Sequence, residues 1–169
     1  MRPHVDGLVG RGVEARAIDL PTRRAEAAVP NFEAAIADER HVVIGGHSYG
    51  GRVASLLAAT RTVAGLVLLS YPLHAPGRSD WERRIEHWDA IACPVLLLSG
   101  EADPFARIEL LRAAVPRLRQ AELVTYPSVG HGLAPVLDDA LDRVVRFIDA
   151  LPSPEHRSAA RSSPSSPTH

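Results

Sequence analysis

At 169 residues the chain has room for one domain with one sizeable hydrophobic core. Its 46% hydrophobic and 23% charged residues are ordinary for a globular protein, and a net charge of −1 provides no long-range field toward nucleic acid or an anionic membrane. All 19 basic residues are arginine, scattered along the chain rather than gathered into a patch.

A single cysteine, Cys93, excludes an internal disulfide and fits a reducing compartment. The opening "MRPHVDGLVGRGVEARAIDL" has no apolar core of signal-peptide length, and the apolar runs at 63–69 and 95–98 are too short to span a bilayer. The expected location is the cytoplasm, with no membrane and no nucleic-acid partner.

Taken in chain order, the first element is a helix near 3–11, followed by a strand at 14–20, "EARAIDL". A helix near 31–39 leads to a strand at 41–45, "HVVIG", and then to a helix at 50–60. Strands follow at 63–70, "VAGLVLLS", and 94–100, "PVLLLSG"; both are nearly continuous apolar runs, as expected of strands covered on both faces. Between them, the short segment 71–92 contains "SDWERRIEHWDA", read as one helix. Its Trp81 and Trp88, seven residues apart, are expected to pack that helix onto the core rather than to touch a substrate. A helix at 105–115, a strand at 121–127 and a helix at 135–151 complete the pattern. In the last helix, Leu137, Leu141, Val144, Ile148 and Leu151 recur every three or four residues. The tail from Pro152, rich in Pro and Ser with almost nothing apolar, is expected to be disordered. This alternation predicts an α/β domain over residues 1–151, with a mostly parallel sheet and helices on both faces.

Ligands of such sheets bind beyond the carboxyl ends of the strands. The loop after 41–45 is "GHSYGG", the loop after 94–98 is "SGEADPF", and the loop after 121–126 is "PSVGHGL". A serine, an acid and a histidine thus appear in three loops on one edge.

Gly46-His47-Ser48-Tyr49-Gly50 has the form G-x-S-x-G, between an apolar strand and a good helix, and makes Ser48 the candidate nucleophile. Glycines suit such a turn because its backbone is strained and neighbouring side chains would collide. Asp103 and Glu101 both compete for the acid role, and Asp103 before Pro104 also suits a helix cap. His131 lies between glycines ahead of the last helix, where a flexible backbone lets its ring reach a shared site. His47 neighbours Ser48 but is expected to point elsewhere, and His4, His41, His74 and His87 lack a matching loop. A serine hydroxyl needs a base to become a nucleophile, and an imidazole titrating near neutrality supplies one. The sequence holds no Cys/His cluster for zinc, and "GGHSYGG" lacks the Lys-Ser/Thr of a phosphate-cradling loop. No metal and no cofactor are expected. Cys93, before Pro94 at a strand start, reads as a small hydrophobe in the core.

From residue 42 to about 151 the chain resembles the α/β-hydrolase superfamily. The stretches "GGHSYGGRVASLLAA", "VAGLVLLSYPLHAPGR" and "LLLSGEADPF" look like its small lidless branch, which includes dienelactone-hydrolase-like proteins and the hydrolase-like proteins named after testis expression and the NSL complex. The order Ser, Asp, His is that of the superfamily. The resemblance implies a triad of Ser48, Asp103 and His131, with the backbone N–H of Tyr49 as one oxyanion donor. It also implies a strand and a second-donor loop ahead of the first helix, the strand lying in the sheet between those at 14–20 and 41–45; since Met1 falls at the start of that helix, both are expected to be absent from this sequence. The expectation is a natural start roughly 20 to 40 residues upstream, from strand and loop sizes.

Two functions follow as expectations. One is a serine hydrolase cleaving small carboxylic esters through an acyl-enzyme, with thioester or peptide substrates as a variant. The other is a hydrolase-fold scaffold, a truncated pseudo-enzyme acting in protein interaction.

Overall fold

The computed structural model describes residues 2–21, 24–39, 41–78 and 80–152. The elements run α1 (Arg2–Val9), α2 (Ala25–Ala35), β1 (Val43–His47), α3 (Tyr49–Thr60), β2 (Gly65–Leu69), β3 (Val95–Gly100), α4 (Ile108–Ala114), β4 (Ala121–Tyr126) and α5 (Leu137–Asp149). The four strands form one sheet in the order β1-β2-β3-β4, and every pair is parallel.

Side-chain alternation sorts the core into two layers. On the central strands, Leu66, Leu68, Val95 and Leu97 face one way and meet Val53, Ala54 and Leu57 of α3, Phe32 of α2 and Leu111 of α4. Val67, Leu69, Leu96 and Leu98 face the other way and meet Ala140 and Val144 of α5, with Leu8 of α1 beside them. Every residue of β2 and β3 is buried, which is why both read as unbroken apolar runs. The outer strands are less covered, and β4 begins with two exposed residues. Arg11 ties the end of α1 to α5 by ion pairs with Asp138 and Asp142. At the start of β2, Gly65 lies under side chains of the C-terminal segment: a Cβ there would lie 2.9 Å from Leu151 and 3.1 Å from Phe147.

Three expectations are corrected. Residues 13–21 do not form a strand. No neighbouring strand receives their backbone groups, and a lone extended segment carries no ladder. The segment is held by side chains instead: Ile18 and Leu20 pack into the α2–α3 layer, and Tyr49 Oη donates to the Pro21 carbonyl at 2.9 Å. The strand β1 is consequently at the sheet's edge.

The second helix begins at Ala25, not at residue 31, and runs through Pro30. Burial of Ala25, Ala28 and Phe32 outweighs the hydrogen bond that Pro30 removes.

Segment 71–92 holds two short 3₁₀ turns, Glu82–Arg84 and Trp88–Ala90, rather than one α-helix. Its buried residues Ile85, Trp88 and Ile91 repeat every three positions, the period of a 3₁₀ turn. Trp88 is fully buried edge-on against Tyr71 at 5.1 Å, and Trp81 packs on the same cluster. Both indoles serve the core. Residues 153–169, where disorder is expected, lie outside the described residues. Among the described residues, no helix is long and apolar enough to cross a membrane and no group of side chains is arranged to hold a metal ion.

Candidate active site

Ser48 sits between the last residue of β1 and the first residue of α3. Its backbone takes φ 51° and ψ −114°, a conformation that an L-residue adopts only when the surroundings impose it. The surroundings here are explicit. Ser48 N–H donates to the Leu69 carbonyl at 2.8 Å, and the Ser48 carbonyl accepts from Arg52 N–H at 3.1 Å. The turn is tight because strand and helix backbones touch: a Cβ on Gly46 would lie 2.6 Å from Gly50 C, and one on Gly51 would lie 2.7 Å from Gly46 O. At Gly50, the second glycine of the motif, a Cβ would meet nothing within 4 Å. The steric requirement thus falls on the pattern's first glycine, Gly46, and on Gly51, one residue beyond its second.

Asp103 lies in the turn that follows β3, with its side chain wholly buried. Oδ1 accepts the Phe105 N–H at 2.8 Å, which fixes the carboxylate, and Oδ2 is 2.8 Å from His131 Nδ1. The other acid, Glu101, is turned outward and occupied: it accepts from Arg112 at 3.0 Å and from Thr125 Oγ1 at 2.8 Å. The geometry separates two acids that spacing alone left open.

His131 comes from the loop between β4 and α5. Its loop is seated on the end of β3, where the Val129 carbonyl accepts Ala102 N–H at 2.9 Å. A Cβ on Gly100 would fall 2.1 Å from that same carbonyl, so only glycine permits the approach. The imidazole Nε2 is 2.7 Å from Ser48 Oγ. Three loops therefore converge on one hydrogen-bonded chain, Asp103–His131–Ser48. Phe105 covers one side of the ring at 4.6 Å between centroids.

Two histidines set aside in the sequence reading turn out to be structural partners of these loops. His47 does not point away: its Nε2–H donates to the His131 carbonyl at 2.7 Å, and the two rings meet edge-on at 5.0 Å. Burial holds the His47 basicity below the usual histidine range, against the hydrogen bond to His131. His74, 2% exposed, donates from Nδ1 to the Ala75 carbonyl and accepts Arg107 N–H on Nε2, bolting the loop after β2 to the loop that carries Asp103. Adjacency to Ser48 was a signal for His47; nothing in the spacing pointed to His74.

Tyr49 is the first residue of α3, so its N–H has no acceptor within the helix and stands at the positive end of the helix dipole beside Ser48. The arrangement has the parts for moving a proton from a hydroxyl to an imidazole braced by a buried carboxylate.

Residues 17–147 match a family described as the alpha/beta hydrolase domain. Among solved structures, the fold is similar to Pyrococcus furiosus esterase Pf2001, with a TM-score of 0.76 at 17% identity over 89% of this chain and 76% of that one. It is also similar to Paleococcus ferrophilus monoacylglycerol lipase, with a TM-score of 0.66 at 16% identity over 75% of each chain. A third likeness is to Est1E from Butyrivibrio proteoclasticus, with a TM-score of 0.59 at 19% identity over 75% of this chain and 72% of that one. At such identities the structural likeness is one of fold, while the family match covers most of the chain. The chain belongs to the alpha/beta hydrolase domain family.

Proposed function

We propose that this protein is a serine hydrolase that cleaves small carboxylic esters through an acyl-enzyme. The observation that carries the reading is the continuous contact from Asp103 Oδ2 to His131 Nδ1 and from His131 Nε2 to Ser48 Oγ, at 2.8 and 2.7 Å. Esterase and lipase relatives with the same fold support the substrate class.

In this reading Ser48 Oγ attacks the ester carbonyl carbon while His131 Nε2 takes its proton. Asp103 keeps the proton on Nδ1, leaving Nε2 free to accept, and steadies the imidazolium. The tetrahedral oxyanion is met by the Tyr49 N–H at the head of α3. Collapse expels the alcohol, which leaves with the proton held by His131. Water then attacks the acyl-Ser48 ester with His131 again as base, releasing the acid and restoring the serine.

Residues 1–151 form the working domain in this proposal, and the short 71–92 segment leaves the site open to small acyl groups. The "SYPLHAPG" stretch supports a place in the lidless branch. One buried cysteine, Cys93, supports a cytoplasmic setting.

The scaffold reading draws on a specific observation: β1 is an edge strand, and residues 13–21 pair with no strand beside Ser48. Labelling with a fluorophosphonate, with a Ser48→Ala control and peptide mapping, separates the two. An adduct on the peptide containing Ser48 supports the hydrolase, and its absence from a folded chain supports the scaffold. Parallel chromogenic ester, thioester and amide substrates then define the acyl chemistry.

A further inference from the structure

We infer that His47 is a positioning residue, whose Nε2–H holds the main-chain carbonyl of His131 and so aims the His131 ring at Ser48. The inference rests on the hydrolase reading above and adds a residue to it.

The loop that carries His131 is weakly constrained by its own sequence. His131 is flanked by Gly130 and Gly132, and a Cβ on either would meet nothing within 4 Å. Burial of Val129 and Leu133 anchors the two sides of this stretch, and at His131, between the glycines, the backbone depends on hydrogen bonds. On the N-terminal side, the Val129 carbonyl is fixed by Ala102 N–H at 2.9 Å. At His131 itself, among the described residues, the hydrogen bond to the main chain comes from His47 Nε2 at 2.7 Å. That donor stands on the last position of β1, paired in register with Leu69 and one residue before Ser48. A single strand end thus positions the nucleophile through its backbone and the base through its side chain.

The contact specifies the chemistry of His47. A carbonyl only accepts, so Nε2 must carry the proton. The neutral ring provides that donor without placing a positive charge 5.0 Å from the imidazole that must itself become cationic. Burial favours the neutral form, as does the imidazole of His131, whose ring lies 5.0 Å from that of His47. Loss of the donor leaves the glycine-flanked carbonyl untethered, and small displacements of a base relative to its nucleophile weigh heavily on rate.

Two substitutions separate tether from filler. His47→Gln keeps an N–H donor of similar reach, whereas His47→Phe keeps a ring and removes the donor. With His47→Phe, the second-order rate of fluorophosphonate labelling at Ser48 and kcat for p-nitrophenyl acetate should fall about tenfold, equivalent to about 1.4 kcal/mol, with KM moving less than twofold. His47→Gln should stay within about threefold of the parent. A readout independent of turnover is the proton NMR signal of His131 Nδ1–H, shared with Asp103. It should persist in His47→Gln and broaden or vanish in His47→Phe. Parent-like labelling and an unchanged signal in His47→Phe would overturn the inference. So would equal impairment of both variants, which would make His47 a packing residue. If the parent chain neither labels nor turns over ester, the hydrolase reading fails, and the NMR comparison alone decides whether His47 holds His131.

Discussion

Ser48 carries backbone strain, so glycine at this position should leave the protein more stable than alanine does, while both substitutions remove the hydroxyl that the proposed chemistry needs. The relevant comparison is Ser48→Gly against Ser48→Ala. Both lose the hydroxyl and its 2.7 Å contact with His131, so that loss cancels. What differs is the Cβ held at φ 51°, ψ −114°. Holding an L-residue in such a region costs on the order of 1–3 kcal/mol, and glycine removes most of it. Against this, glycine has a larger unfolded-state entropy, worth about 0.5–1 kcal/mol. The net expectation is about 1 kcal/mol in favour of Ser48→Gly, or roughly 2–4 °C in Tm for a chain of this size. Urea denaturation followed by circular dichroism, together with thermal melts of both variants, measures it. Melting of Ser48→Gly below Ser48→Ala would refute the reasoning, because the conformation would then impose no penalty on a side chain.

Asp103→Asn should leave the fold intact yet lower kcat or labelling rate by roughly 10,000-fold through the wrong His131 tautomer. Glu101→Gln, at a side chain hydrogen-bonded to Arg112 and Thr125, should leave the same rates within about twofold. Gly50→Ala should be neutral or stabilising by about 0.5–1 kcal/mol, since the added methyl meets open space in a helix. Gly46→Ala, whose methyl would press on the Gly50 backbone, should lose about 1–3 kcal/mol, and chemical denaturation distinguishes the two. Stability should also fall on acidification. His87, half-buried and hydrogen-bonded to Ser55, has its pKa pushed down to about 4, chiefly by desolvation and then by Arg52. Between pH 6.5 and 4 the unfolded chain binds this proton and the folded chain does not, so stability is full above 6.5 and declines toward 4. His4 and His47, also lowered by burial, act in the same direction. His87→Gln should therefore flatten the pH dependence in that window, in part, as measured by urea midpoints at pH 4.5 and 7.

Much of this protein is written locally. The continuous apolar runs of β2 and β3 announce strands covered on both faces, because a parallel sheet sandwiched by helices leaves no polar face to alternate with. The turn after β1 is legible for the same local reason: strand, glycines, serine and helix lie within a dozen residues. Spacing along one edge was enough to nominate Ser48 and His131. It left Asp103 and Glu101 as rivals, since two acids separated by one residue differ only in which way the loop turns them. Tertiary contacts tell the two apart, burying Asp103 against His131 and pairing Glu101 with Arg112 and Thr125.

Tertiary structure alone also decided the fate of residues 13–21, whose strand pattern found no neighbour with which to form a ladder. The same holds for segment 71–92, where burial of Ile85, Trp88 and Ile91 selected a three-residue period over an α-helix. His47 and His74 belong to this second class. Each acts by hydrogen-bonding the main chain of a loop distant in sequence, a contact that side-chain type and local spacing do not encode. Local order comes from steric preference and hydrophobic period, which a chain carries at every point. The arrangement of loops at the sheet's edge comes from hydrogen bonds between segments, which exist only once the sheet has brought those segments together.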